Sequence, residues 1–272
     1  NSGQSAARNQ GIRVANGKYL YFFDSDDMLR SNALATLYAK AENEQLDMVV
    51  FDGQSVFENE DLKKQFPNYI TYYMRSKEYS GKWEGTSLYV EMVKRGDYKV
   101  SPCLQFFRTE YILNQQLYFR EGIIYEDNLF SLQAMLKCQR VGHLFQSLFI
   151  RRVRKNSTMT GRMRYRNFKG YYICLQAMSI FILQNKFPTD TIKTAKRQIE
   201  SLYKTTCKCY ISLAPEERKQ PWCSDANEQL FSMILYPAIS LSANLNDEKE
   251  AELNEFNEIR GSISYRLALL IT

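Results

Sequence analysis

The chain has 272 residues, of which 44% are hydrophobic, 14% aromatic and 24% charged. That is enough to bury a substantial core, and it excludes a disordered or collagen-like polymer. Thirty-six Lys and Arg against 30 Asp and Glu leave +6, a charge suited to phosphates or an anionic membrane surface and too small for a dedicated nucleic-acid binder.

Length allows one or two domains. The predicted elements begin with a short helix from Ser5, a plausible N-cap, to Val14, closed by the Asn16-Gly17 turn signal. Lys18 to Phe23 is an aromatic strand that empties into a polar loop, Asp24 to Asp27. Ser31 can cap a second helix in which Leu34, Leu37, Tyr38 and Ala41 form one stripe at helical spacing. Met48 to Phe51 is a short buried strand, and strand-helix-strand order points to an α/β sheet with crossovers. Residues 58–82 hold no sustained period and read as a long surface loop or irregular insertion.

Further on, Gly85 to Arg95 is helical, Leu104 to Arg108 extended and Glu110 to Gln116 helical. Tyr125-Glu126-Asp127 then precedes a helix over Asn128 to Lys137 with Leu129, Leu132, Gln133 and Leu136 on one face. Val141 to Val153 is extended and runs into the basic segment Arg151, Arg152, Arg154, Lys155. Segments 166–186, 190–212, 225–243 and 247–260 fit helices, with Asp190 and Asp225 as caps and Pro188, Pro215 and Pro221 as punctuation. A boundary near residue 160 separates an α/β part, 1–160, from a helical region, 161–272.

Cys103, Cys138, Cys174, Cys207, Cys209 and Cys223 lack C-x-x-C spacing and read as reduced cytosolic thiols. His143, the sole histidine, excludes triads and His-rich metal sites unless it carries them alone, and reads as a half-exposed strand residue. The longest apolar stretch, Tyr171 to Leu183, is shorter than the roughly 20 residues that cross a bilayer. A cytoplasmic chain is expected, with a peripheral contact at the inner face of the membrane as a weaker alternative. The opening at Asn1, without Met or signal architecture, reads as a piece of something longer.

Three clusters can carry chemistry. Asp24, Asp26 and Asp27 follow a strand, at the carboxyl edge where open α/β sheets place ligands, and carboxylates on one turn can converge on a hard cation. The alternative is an Asp-rich turn capping the next helix. An EF-hand is excluded, since Leu29 and Ala35 stand where its loop needs Gly and Glu. A phosphatase of the haloacid dehalogenase type begins with a similar strand and Asp-x-Asp, but no later Lys and Gly-Asp-Asp-like loop completes it. Glu126-Asp127 can supply a general base, or can simply complement the first turn of a helix. The basic run can neutralise a diphosphate, with Arg152 and Arg154 on one side of the strand, or can be a solvated strand end.

The order Asn1-x-Gly3-x-Ser5-x-Ala7-Arg8-Asn9-x-Gly11-Ile12, Ala15-x-Gly17-x-Tyr19-Leu20 and Phe22-Phe23-Asp24-Ser25-Asp26-Asp27 resembles family 2 glycosyltransferases of the GT-A fold. Phe119-Arg120-Glu121-Gly122 with Tyr125-Glu126-Asp127-Asn128-Leu129-Phe130 is similar to that family's downstream acidic motif. The resemblance covers about residues 1–160. It implies a Rossmann-like mixed sheet lacking its N-terminal nucleotide-binding strands, followed by an all-helical C-terminal extension. It also implies a sugar moved from a nucleotide-sugar donor, uridine-diphosphate-linked in expectation, to a saccharide or lipid-linked acceptor in bacterial polysaccharide assembly, with inversion. Asp24-Ser25-Asp26 then corresponds to the DXD motif: Asp24 lies on the donor, with Arg8, Arg152 and Arg154, and Asp26 binds Mn²⁺ or Mg²⁺. Asp127, with Glu126 beside it, becomes the base. The missing opening strands leave a shortened copy of an active enzyme, or a non-catalytic interaction module, as the two expectations.

Overall fold

The computed structural model describes residues 3–155, 164–218 and 233. The chain divides into two compact units, the first within Asn1–Gly122, Glu126–Arg162 and Phe187–Thr194, the second within Ile123–Tyr125, Met163–Lys186 and Ala195–Thr272.

The first unit is an α/β mixed sheet. Its strands are β1 (Tyr19–Tyr21), β2 (Met28–Leu29), β3 (Met48–Phe57), β4 (Lys82–Trp83), β5 (Gln105–Arg108) and β6 (Val141–Val153). The order is β1-β5-β3-β6-β2, with β4 also on β6. Only β3 and β6 run parallel; the other pairs are antiparallel. Met48 through Phe51 are all buried, so both faces of β3 are covered, as a strand of unbroken apolar character requires. The β3–β6 register slips around Asp52, and such an irregularity turns side chains away from the regular alternation.

Helix α1 (Gly3–Val14) precedes β1, and α2 (Ala33–Asn43) packs on β3 and β6. The stripe that α2 buries is Ala33, Leu37 and Ala41, while Leu34 is 52% exposed and Tyr38 is open too. The sequence pattern placed Leu34 and Tyr38 inward. Spacing alone leaves the centre of a stripe ambiguous by one residue, and the small alanines are what fit the approach to the sheet. The cap is Asn32 rather than Ser31. Within the expected loop over 58–82 lies α3 (Glu60–Gln65), capped by the Asn59 side chain, which accepts from Leu62 N–H at 2.9 Å.

Beyond it come α4 (Gly85–Lys94), α5 (Thr109–Asn114) and α6 (Asp127–Leu136). A Cβ on Gly85 would penetrate the Met135 carbonyl oxygen, so α4 meets α6 at backbone distance only because that residue has no side chain. The buried core around β3 joins Leu37, Leu46, Val49, Phe51, Leu104, Phe106, Leu148 and Phe149.

In the second unit, α7 (Tyr165–Gln184) stacks Tyr171 on Tyr125 at 4.0 Å, and Asn167 Nδ2 donates to the Tyr125 hydroxyl at 2.8 Å. Helix α8 spans Thr189–Ile211, with Asp190 inside its first turn rather than at its cap. The expected helices over 225–243 and 247–260 lie outside the described residues, as do Cys223 and the boundary near 160. Among the described residues no disulfide forms, and no helix is long and apolar enough to cross a membrane.

Candidate functional site

His143 is not the half-exposed strand residue its neighbours suggested. It is buried in β6, with Nδ1 accepting from Tyr79 N–H at 3.1 Å and Nε2 at 3.4 Å from Asp52. Burial holds its pKa below the ordinary value. Arg75 shares Asp52 at 2.7 Å, so this group is an internal network that ties the loop before β4 to the register slip.

The acidic motifs meet elsewhere. Helix α1 carries Arg8 and Asn9 side by side, and the two reach different parts of the second motif. The Asn9 amide donates to Phe119 O at 2.9 Å and to Glu121 at 2.8 Å, and its oxygen accepts from Phe119 N–H at 2.8 Å. Gly122 then turns the chain at φ +79°, a left-handed conformation that glycine adopts without strain. Beneath, Phe119 stacks on Phe130 at 3.9 Å, and Phe22 meets both edge-on. These rings make an apolar floor, above which the Arg8 guanidinium lies 4.9 Å from the Phe119 centroid.

From there Arg8 forks across both motifs. Its Nη2 pairs with Asp24 at 2.9 Å; its Nη1 pairs with Asp127 at 2.8 Å and Glu126 at 3.3 Å. A planar guanidinium offers donors in fixed directions, which is why one arginine can hold three carboxylates in one arrangement. Burial by itself would lower the Arg8 pKa, but Asp127 and Asp24 outweigh it and hold the value above normal. Sequence reasoning put Arg8 on the donor side only. Its tie to Glu126 and Asp127 spans more than a hundred residues and has no local signature.

Asp127 is the first residue of α6, with Glu126 at the cap. Its pKa is pushed up to about 7, first by its enclosed surroundings and then by the charges of Glu126 and Asp24, against the pull of Arg8. The side chain still keeps 34% of its surface open, so enclosure dominates without sealing the group from a reactant. Burial also raises Glu126. A partly exposed carboxyl half-ionised near neutrality has the properties of a general base.

The loop after β1 brings Asp24, Asp26 and Asp27 together, with a ligand oxygen from each within 4.8 Å of the others. They are not equivalent. Asp27 is buried, and both its oxygens are engaged: Arg151 Nη1 donates at 3.0 Å and the Arg152 backbone N–H at 3.0 Å. Burial raises its pKa despite these partners. Asp27 therefore latches the loop to the end of β6. Asp24 and Asp26 remain partly open, and their hard oxygens fit Mn²⁺ or Mg²⁺. Arg152 and Arg154 do lie together, as strand alternation suggested: Arg154 Nη2 pairs with Asp26 at 2.6 Å, and Arg152 Nε donates to the Asp26 carbonyl. Arg151, which alternation turned away from that pair, points inward to Asp27 and lies 3.7 Å from Asp24. All the residues assigned from sequence, Arg8, Asp24, Asp26, Glu126, Asp127, Arg152 and Arg154, are thus linked, and Asn9, Asp27 and Arg151 join them.

Residues 1–101 match the profile described as Glycosyl transferase family 2. The chain is 28% identical over 159 residues to glycosyltransferase GlyA of Streptococcus pneumoniae, covering 58% of this chain and 22% of that protein. It is 28% identical over 164 residues to the uncharacterized glycosyltransferase EpsJ of Bacillus subtilis, covering 58% of this chain and 44% of that one. The chain spans less than half the length of these two relatives. Its fold resembles that of S. aureus TarS 1-349, solved in complex with UDP-GlcNAc, at a TM-score of 0.61 and 15% identity over 98% of this chain and 73% of that fragment.

Proposed function

We propose that the chain carries a family 2 glycosyltransferase domain on a GT-A fold and that it transfers a sugar from a nucleoside diphosphate to a hydroxyl acceptor by single displacement with inversion. The observation that supports this most directly is Arg8, which pairs at once with Asp24 of the first acidic loop and Asp127 of the second. Donor-side and acceptor-side carboxylates are thereby held one guanidinium apart.

Asp127 accepts the acceptor's hydroxyl proton as that oxygen bonds to the anomeric carbon, and the bond from that carbon to the diphosphate breaks, its electron pair leaving on the phosphate oxygen. Asp24 and Asp26 would hold the divalent ion, which supplies positive charge to the departing diphosphate. Arg152 and Arg154 are the donors at the rim of the loop, suited to the same phosphates once released from Asp26. Glu126, buried and with a raised pKa, tunes Asp127 by its charge rather than meeting the acceptor. The phenylalanine floor excludes water from behind the reacting groups. Bacterial relatives named as glycosyltransferases support the transfer itself, and a saccharide or lipid-linked acceptor is part of this proposal.

Calorimetric titration with uridine diphosphate, with and without Mn²⁺, is the first test, the nucleotide being chosen because TarS was solved with a uridine diphosphate sugar. Saturable, metal-dependent binding that Asp26→Ala abolishes is expected. Asp127→Asn is expected to keep binding and lose transfer; normal turnover by that variant refutes the assignment of the base.

A further inference from the structure

Between α3 and β4 the chain passes through a row of aromatic rings, each braced by the next. Phe66 lies 6.2 Å from Tyr69, Tyr69 5.8 Å from Tyr72, Tyr72 4.9 Å from Tyr73, and Tyr73 5.7 Å from Phe149 in the core. Tyr73 is buried, and its carbonyl accepts from Gly53 N–H at 2.9 Å, which fixes the row to β3. Tyr72 differs. It leaves 40% of its surface open, and exposed Ile70 and Met74 flank it.

The row stands beside the acidic site, since Phe149, on which Tyr73 packs, lies two residues before Arg151 on β6, and Arg151 Nη1 donates to Asp27 at 3.0 Å. The charges of Arg151 and Asp27 reach the Tyr73 phenol, and that of Asp127 reaches the Tyr72 phenol, which burial, Tyr69 and Asp127 together hold above its ordinary pKa. The Lys99 ammonium lies over the Tyr72 ring, 5.9 Å from its centroid, anchored by donation to Gly96 O at 3.2 Å. A rigidly backed aromatic ring, partly open to solvent, with a cationic donor over one face and a carboxyl base within electrostatic reach, is an unusual thing to leave on a surface for packing alone. A pyranose presents an apolar C–H face and a rim of oxygens. The open face of an aromatic ring matches the first, as it does other flat or electropositive groups, and an ammonium matches the second.

We propose that Tyr72 is the platform on which the acceptor saccharide stacks, with Lys99 donating to the oxygens at that ring's edge, so that the acceptor hydroxyl is presented to Asp127. This rests on the glycosyl-transfer reading of the acidic site and adds the acceptor subsite to it.

The test uses the full chain with Mn²⁺ and uridine diphosphate, and saturation-transfer NMR on the methyl β-glycosides of glucose, galactose, N-acetylglucosamine and glucuronic acid. In the unmodified protein, saturation is expected on ring C–H protons of at least one glycoside. Tyr72→Ala should weaken that glycoside at least about tenfold, equivalent to ~1.4 kcal/mol, whereas Tyr72→Phe keeps it and nucleotide affinity is unchanged in both. Tyr72→Leu keeps apolar bulk and tests the ring itself should the alanine disturb the row. Lys99→Met should weaken every bound glycoside, the glucuronide most. Glycoside binding undiminished in Tyr72→Leu, or no glycoside contact in a protein that does bind uridine diphosphate, overturns the platform and leaves the transfer reading standing. Absence of nucleotide binding in the unmodified protein overturns the transfer reading itself.

Discussion

Replacing Asp127 by Asn removes one titrating carboxyl with little change in shape, and the raised pKa converts this into a stability difference with a definite sign. Asp127 titrates near 7 in the folded chain and near 3.8 when unfolded. The folded state therefore holds this proton more tightly. Its contribution is fully present below about pH 4 and is lost as pH rises to 7. About three pKa units at 1.36 kcal/mol each give roughly 4 kcal/mol. The side chain is 34% exposed, so solvent screening reduces this to about 2 kcal/mol. Asp127→Asn is thus expected to equal the unmodified protein within about 0.5 kcal/mol at pH 4, and to exceed it by ~2 kcal/mol at pH 8. In melting temperature that is about 4–8 °C at the higher pH. The assay is thermal unfolding by circular dichroism across pH 4–8, read as variant minus unmodified protein. The difference is essential because buried His143 has a depressed pKa and adds the opposite slope, losing stability as pH falls below 6.5. A difference that does not change with pH, or a variant less stable than the parent at pH 8, refutes the reasoning. It needs no substrate.

Turnover should rise with pH through an apparent pKa of about 7 as Asp127 ionises, and Arg8→Met should move that limb to higher pH, since Arg8 favours the charged carboxylate; an unmoved limb argues against the fork. Arg8→Met should also cost about 2–3 kcal/mol in urea unfolding, because it leaves three carboxylates without their shared cation. Asp27→Ala should unlatch the first acidic loop and weaken Mn²⁺ binding, measured by titration, by about tenfold or more, the scale seen when groups supporting metal ligands are lost. Gly85→Ala should destabilise by ~3 kcal/mol in urea unfolding, because the new methyl meets the rigid Met135 carbonyl where α4 crosses α6.

Much of this protein was legible from local pattern. Val141 to Val153 forms the predicted strand to the residue, because a long extended run with apolar ends has few other ways to bury them. Helices α4, α6, α7 and α8 arise where their periodicity placed them, and Asp24-Ser25-Asp26-Asp27 and Glu126-Asp127 stand at a strand exit and a helix start. Residues 58–82 were harder: α3 is a single short helix held by the Asn59 cap, and a segment of that length carries too little periodicity to stand out.

What the sequence determined by itself was therefore the inventory, namely which stretches are helix or strand and which side chains are able to hold a cation or move a proton. Only the tertiary structure decided how those side chains are shared. Arg8 belongs to both acidic motifs, Asp27 latches while Asp24 and Asp26 stay open, Arg151 turns inward ahead of Arg152, and His143 is buried against Tyr79 and Asp52. The reason is range. Helix and strand preferences act within a few residues, whereas these pairings, apart from Arg8 with Asp24 at 16 positions, join residues 64 to 125 positions apart, and they come into being only when the order and register of β3 and β6 bring the ends of distant strands together.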